Sequence, residues 1–180
     1  MSKAVAGYGV GVGLLTLLGI LMSAGGPQAS SQTQFNIFLL LLNAYTPLLT
    51  PLSSMMGAQS IGGLGSYGII PLAAWLLVGV LVGVLVRSAG GGAKATFLTA
   101  STVLLLWIGS LFLSAPAWPD NSHWVFMVNR MATELVSRPI DMIFLFAAPI
   151  ASSALTGEIA YLVRSKVVRH EEIEERYTWF

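Results

Sequence analysis

The chain has 180 residues, of which 55% are hydrophobic and only 9% are charged, and its mean hydropathy is +0.76. Soluble domains carry about 25% charged residues, so this composition predicts an all-α, polytopic integral membrane protein surrounded by a lipid bilayer. The net charge of +1 gives no basic field that would attract nucleic acid. The absence of cysteine excludes disulfides and thiolate chemistry within this chain.

The first apolar run covers residues 4–24 and follows Lys3. It is longer than the apolar core of a signal peptide, which spans about 7–15 residues, so we predict a retained transmembrane helix. Its early part contains two overlapping GxxxG spacings, formed by Gly7, Gly9, Gly11 and Gly13. Glycines four residues apart let another helix approach closely, which predicts a packing face directed either within the chain or towards another subunit.

Residues 25–34 are predicted to form a polar loop, and residues 35–56 allow two interpretations. Pro47 and Pro51 should break a helix in this second stretch, because proline lacks an amide donor and clashes with the preceding turn. The stretch either spans the bilayer with a kink or enters and leaves on the same side.

Polar residues surround these two prolines. They could line a pathway for an ion or small solute, as the interrupted helices of transporters do, or belong to a kinked packing helix whose hydroxyls bond to its own backbone. The candidate lining residues are Asn43, Tyr45, Thr46, Thr50 and Ser53.

Residues 69–114 predict a transmembrane hairpin. Two uncharged apolar runs, each about the 20 residues needed to cross a bilayer, flank a short glycine-rich turn that carries Arg87 and Lys94. Arg and Lys in short loops are retained on the cytoplasmic side, so we expect the turn to face the cytoplasm. Gly79 and Gly83 in the first run predict a second face for close helix packing.

Residues 115–138 predict a short amphipathic helix at the external interface. Pro116 and Pro119 should end the preceding helix, and Asn121 or Ser122 is expected to cap the new one. Arg130, Glu134 and Arg138 are four residues apart and can form charge pairs. Apolar residues recur at helical spacing along the other face: Trp124, Met127, Val128, Met131 and Leu135.

The final span is predicted over residues 139–163. Asp141 should complement the positive N-terminal end of this helix, and Ala147 with Ala151 forms a third small-residue face. Glu158 is a carboxylate at membrane depth, where ionisable groups are costly and often functional. It either handles ions or protons, or it reaches the cytosolic interface and pairs with Arg87 or Lys94.

The charges around the spans decide the expected topology. Arg164, Lys166 and Arg169 follow the last span, which predicts a transmembrane domain over residues 1–163 and a short cytoplasmic tail over 164–180. A cytoplasmic N-terminus, favoured by Lys3, requires residues 35–56 to re-enter, whereas an external N-terminus requires five full spans. Both arrangements stay open at this point. Aromatic residues that could dock on a partner end the tail: Tyr177, Trp179 and Phe180.

The chain is poor in groups that could carry chemistry. It contains no phosphate-binding loop, catalytic triad or metal-ligand spacing, so we expect neither an enzyme nor a cofactor. The leading hypothesis is a non-catalytic subunit of a larger assembly in the cell membrane, with other membrane subunits as partners. The alternative is an oligomeric channel or transporter for an ion or small solute, in which residues 43–54 and Glu158 would line the pathway.

Overall fold

The computed structural model describes residues 3–24, 37–63 and 65–177, with side chains up to Lys166, and this part of the chain is helical without strands. The all-α prediction is confirmed. The predicted loop 25–34 and the aromatic residues Trp179 and Phe180 lie outside the described residues. The helices are α1 (Lys3–Ala24), α2 (Ile37–Tyr45), α3 (Pro51–Met55), α4 (Ile70–Val86), α5 (Ala89–Leu113), α6 (Asn121–Val136) and α7 (Pro139–Tyr177).

Three helical stretches of the described chain are long and apolar enough to cross a membrane: α1, α5 and the Pro139–Lys166 part of α7. The helix α4 is equally apolar in character but has 17 residues. A hydrocarbon core of about 30 Å needs about 17–25 helical residues. The fold is therefore consistent with a helical membrane protein.

Close glycine contacts show the direction of each long helix. A β-carbon added at Gly7 would lie 2.7 Å from Val86, so α1 begins beside the end of α4. A β-carbon added at Gly79 would contact Pro149, and one added at Gly157 would lie 2.7 Å from the carbonyl oxygen of Ser88, so α7 runs alongside α4 and reaches the α4–α5 turn midway along its 39 residues. Therefore α1 and α5 run in one direction, and α4 and α7 run in the other.

We call the end of the bundle that contains the α4–α5 turn the basic end. Helix direction places most of the Lys and Arg residues with described side chains there, namely Lys3, Arg87, Lys94, Arg164 and Lys166. Arg130 and Arg138 lie at the opposite end, together with Asp120, Glu134 and Asp141.

The helices α4, α5 and α7 cross at van der Waals distance near the basic end. A β-carbon added at Gly83 would lie 2.5 Å from the carbonyl oxygen of Ser153, and one added at Gly79 would lie 2.7 Å from that of Pro149. Gly92 approaches the α-carbon of Gly83 in the same region. The small-residue face of Gly79 and Gly83 therefore packs against α7 within the chain.

The other small residues divide between the core and the surface. Gly7 and Gly11 are buried against α4 and α5, with Gly11 next to Thr99. Gly9 and Gly13 have nothing within 4 Å of an added β-carbon and are exposed. Ala147 and Ala151 are also exposed, on the outer side of α7. Of the predicted packing residues, the four exposed ones, Gly9, Gly13, Ala147 and Ala151, are accessible to another subunit.

The N-cap of the amphipathic helix α6 lies one residue earlier in the chain than the first predicted position. Asp120, not Asn121 or Ser122, is the N-cap, and its carboxylate accepts from the backbone N–H of His123 at 2.6 Å. Hydrogen bonds from the Ser122 hydroxyl and from that N–H lower the pKa of Asp120. The prediction of Asn121 or Ser122 was wrong because Asp, Asn and Ser are all good N-cap residues, and residue type does not show at which of them the helix begins.

The helix α7 does not end at the predicted edge of the bilayer. It continues without interruption from Pro139 to Tyr177, a length of 39 residues. The stretch predicted as a short tail after Val163 is therefore helical as far as Tyr177.

We predict that Gly83→Leu destabilises the fold by about 3 kcal/mol, because the new side chain would overlap the backbone of α7 and overpacking costs about 1–3 kcal/mol or more. Gly13→Leu, in the open face of α1, is the matched control and should leave stability nearly unchanged. Thermal unfolding of the two purified variants in the same detergent measures the difference. Equal melting temperatures would contradict the α4–α7 crossing.

Candidate functional site

The chain between α2 and α4 is broken at the two predicted prolines. After α2 it forms a 3-10 turn over Thr46–Leu49 and then the short helix α3, with Pro47 and Pro51 each at the start of one of these elements. Proline fits these starting positions because an N-terminal amide has no partner within its helix. We call residues 43–56 the broken segment. Its polar residues are the candidate site predicted from the sequence.

Two tryptophans from α4 and α5 hold the 3-10 turn. The indole N–H of Trp75 donates to the carbonyl oxygen of Leu48 at 2.8 Å, and that of Trp107 donates to the Thr46 hydroxyl at 2.9 Å. The Thr46 hydroxyl in turn donates to the carbonyl oxygen of Leu42 at 2.6 Å. Both tryptophans are fully buried, so polar groups freed by the break have partners inside the protein.

The helix α1 supports the start of the broken segment. The hydroxyls of Tyr45 and Thr16 are 2.7 Å apart, and Gly19 lies directly against the carbonyl group of Ala44. A side chain at position 19 would overlap that carbonyl, so glycine is required for this approach. Residues 44–51 of the broken segment are thus buried against α1, α4 and α5, whereas Met55 and Met56 at its end are exposed.

A carboxylate from α7 caps α3. Asp141 Oδ1 accepts from the backbone N–H groups of Leu52 and Ser53 at 2.8 and 2.9 Å, and Oδ2 accepts from the Ser53 hydroxyl. Thr50, the residue before α3, makes no side-chain cap of its own. Asp141 is only 2% exposed. The expectation that it serves its own helix was incomplete, because it also serves as the missing cap of α3.

The helix α6 fastens the loop that follows the broken segment. Glu134 accepts from the backbone N–H of Gly62 at 2.8 Å and pairs with Arg130 at 2.9 Å. Arg138 donates to the carbonyl oxygen of Gln59 at 2.7 Å instead of joining this pair. Gly62 has a φ of +76° and lies against the buried Met131. The predicted Arg130–Glu134 pair is confirmed.

The predicted lining residues are mostly committed to the core. Tyr45, Thr46 and Thr50 are buried, and Asn43 is half-buried. The Tyr45 hydroxyl is hydrogen-bonded to that of Thr16, and the Thr46 hydroxyl is hydrogen-bonded to Leu42 and Trp107. The hydroxyl of Thr50 is buried without a hydrogen-bond partner among the described residues. This arrangement matches a packed, interrupted helix better than the wall of a pathway.

Glu158 lies away from the broken segment, near the opposite end of the bundle. Its neighbour Gly157 abuts the carbonyl group of Ser88 in the α4–α5 turn, and Glu158 itself is exposed. Within the described part of the chain it forms no ion pair with Arg87 or Lys94. The structure therefore does not bring Glu158 together with Asn43, Tyr45, Thr46 and Thr50.

No group of three His, Asp or Glu residues that could hold a metal ion occurs within residues 3–24, 37–63 and 65–166, whose side chains the structure describes. No family model, curated protein or solved structure matches the chain. The function must accordingly be inferred from the geometry alone.

The sequence analysis missed the residues that support the broken segment from outside it. Trp75, Trp107 and Asp141 occur in three different helices, and none is near the segment in sequence. A general signal was available, since a break within an apolar run needs partners for its freed backbone groups. The partners themselves depend on which helices meet.

We predict that Asp141→Ala lowers the free energy of unfolding by about 3 kcal/mol, since two partly buried amides lose their acceptor and each such loss costs about 1–3 kcal/mol. Asp141→Asn retains one acceptor oxygen and should cost less than half as much. Ser53→Ala removes only the hydroxyl contact, which predicts about 1 kcal/mol. Denaturation in one detergent measures all three, and an Asn variant as unstable as the Ala variant would contradict the capping role.

Proposed function

We propose that this chain is a non-catalytic, multi-pass subunit of a larger membrane complex. The observation that carries the proposal is the length of α7. This helix leaves the bundle near Gly157, beside the α4–α5 turn, and continues to Tyr177. At 1.5 Å per residue, the remaining part projects by about 30 Å.

A helix that projects from its bundle needs packing contacts to remain stable. Isolated helices gain little stability by themselves, and most helical stability in proteins comes from packing. The neighbouring helix α4 ends at Val86, close to Gly157 of α7, whereas α7 continues to Tyr177. A partner subunit lying along this projection would supply the missing packing.

Small residues on the outer surface also favour assembly. Gly9 and Gly13 on α1, and Ala147 and Ala151 on α7, are exposed. Helix association in lipid depends on close van der Waals contact, and small residues permit it. These two faces would accept helices of other subunits or of a second copy of the chain.

The commitment of the polar groups supports a role without catalysis. The hydroxyls of Tyr45, Thr46 and Ser53 in the broken segment are hydrogen-bonded within the protein. The indoles of Trp75 and Trp107 and the carboxylate of Asp141 bond to the same segment from other helices. The alternative, an oligomeric channel or transporter, is favoured by one observation, the exposed carboxylate of Glu158. Its pathway would run between copies of the chain, along the outer surface of α7.

We further propose four crossings, by α1, α4, α5 and α7, with residues 35–56 re-entrant. The support comes from helix direction, because α1 ends and α4 begins at the same end of the bundle, opposite the basic end. The chain between them therefore crosses either not at all or an even number of times. The broken segment also lies beside the first turn of α7 at that end.

The orientation proposed here places the basic end and the C-terminus in the cytoplasm of a cell. Five Lys and Arg residues lie at that end, with Glu158 as the carboxylate among the described side chains there. The opposite end carries two Arg residues and three carboxylates. Retention of Lys and Arg on the cytoplasmic side thus favours an external α6.

Co-purification tests the subunit proposal. We expect the gently solubilised protein to retain unlike chains in a fixed ratio by native mass analysis. A variant that ends at Lys166 should lose them while its bundle melts at the same temperature. Ala151→Leu serves as a second variant, directed at the outer face of α7. A homo-oligomer alone, unchanged by truncation, would favour the channel.

The topology can be tested with single cysteines, because the chain has none of its own. In sealed right-side-out vesicles, an impermeant thiol reagent should label cysteines at Ser31, Gln59 and Asn121. Cysteines at Gly91 and Ser165 should be protected. Labelling at Gln59 but not at Ser31 would mean that residues 35–56 span the bilayer. Labelling at Gly91 with protection at Asn121 would reverse the orientation.

A further inference from the structure

An open groove of about 510 Å³ lies between the end of α4 and the projecting part of α7. Its walls are apolar and accessible: Val84, Ile159 and Val163 are 48%, 59% and 59% exposed. Thr156 also lines it, but its hydroxyl already donates to the carbonyl oxygen of Ser152 at 2.7 Å. The groove therefore offers dispersion contacts and a hydrophobic surface along its length.

Two guanidinium groups line the same groove. Arg87 comes from the α4–α5 turn and Arg164 from α7. Neither forms a hydrogen bond or ion pair with any residue whose side chain is described. A pair of unpartnered arginines beside apolar walls is complementary to a ligand with an anionic head and an apolar body.

The backbone of Arg87 adds a second indication. Arg87 has a φ of +56° and adopts the left-handed conformation, as no other non-glycine residue of the described chain does. It is the residue at which α4 ends. Glycine or asparagine is usual at such a helix end. Strained backbone conformations concentrate at functional positions, and here the strained residue contributes its side chain to the groove.

We propose that this groove binds an anionic glycerophospholipid of the surrounding bilayer. The phosphate lies between the guanidinium groups of Arg87 and Arg164, and an acyl chain lies along Val84, Ile159, Ala160 and Val163. Basic pockets between membrane helices on the cytoplasmic side are suited to phosphate head groups. On the orientation proposed above, the lipid belongs to the cytoplasmic leaflet, although the binding chemistry does not depend on that orientation.

The nearby carboxylate does not oppose this assignment. At 3.6 residues per turn, the groove-lining residues Thr156, Ala160 and Val163 share one side of α7, and Glu158 lies on the opposite side. The lipid site and the outer face of Ala147 and Ala151 are accordingly on different sides of α7. A partner subunit and the lipid can bind at the same time.

Native mass analysis of the full-length protein, titrated with phosphatidylglycerol or phosphatidylcholine, tests the proposal. We expect phosphatidylglycerol to bind at least about tenfold more tightly, because its head group is a net anion beside two guanidinium groups, whereas the choline ammonium of phosphatidylcholine offsets the phosphate charge. The double variant Arg87→Asn with Arg164→Gln should lose this preference, and asparagine keeps the left-handed backbone at position 87 accessible. The matched control is Lys94→Gln with Lys166→Gln, which removes the same charge outside the groove and should retain the preference.

A second variant, Ala160→Trp, fills the groove without changing its charge and should weaken phosphatidylglycerol binding by a similar factor. Unchanged melting temperatures show that each variant is folded. If the double arginine variant and the double lysine control lost the preference for phosphatidylglycerol equally, general charge attraction would explain the binding and the proposal would be overturned. Unchanged affinity of Ala160→Trp for phosphatidylglycerol would also overturn the proposal. Displacement of the lipid by millimolar inorganic phosphate would do the same, since either result means that the acyl chain is not bound.

Discussion

The structure depends on one requirement: polar backbone groups freed within an apolar bundle must find partners inside the protein. The requirement is greatest at the broken segment, where two prolines interrupt the chain. Trp75 and Asp141 meet it by bonding to the carbonyl oxygen of Leu48 and to the amides at the start of α3, and Trp107 bonds to the side chain of Thr46 in the same segment. Because these three side chains belong to α4, α5 and α7, satisfying the break also joins the long helices to one another.

The two ends of the bundle are held by different forces. Hydrogen bonds to the broken segment dominate at one end, whereas close packing at Gly79, Gly83 and Gly92 dominates near the basic end. The hydroxyl of Ser153 is buried in this second region without a partner among the described residues. Close backbone contacts therefore bring α4 and α7 together there, alongside one interhelical hydrogen bond from the Thr156 hydroxyl to the carbonyl oxygen of Val80 at 3.3 Å.

Among the described residues, the buried polar side-chain atoms have hydrogen-bond partners except for the hydroxyls of Thr50 and Ser153. The features suited to interaction lie on the surface: the projecting part of α7, the exposed small residues of α1 and α7, and the groove with Arg87 and Arg164. This distribution is what we would expect of a subunit that acts through its neighbours, and it supports the proposed role. The partner face and the lipid groove occupy opposite sides of α7.

The sequence by itself determined the all-helical class with apolar helices of membrane-crossing length, the proline break, the amphipathic α6 and the Arg130–Glu134 pair, because each is encoded by local composition or spacing. Only the tertiary structure decided that Tyr45 and Thr46 are buried, that Asp141 caps α3, and which glycines are in the core. Gly7 and Gly11 have the same spacing as Gly9 and Gly13, yet only the first pair is buried. The physical reason is that lipid and protein interior are both apolar, so hydrophobic periodicity cannot separate a core-facing side from a lipid-facing one.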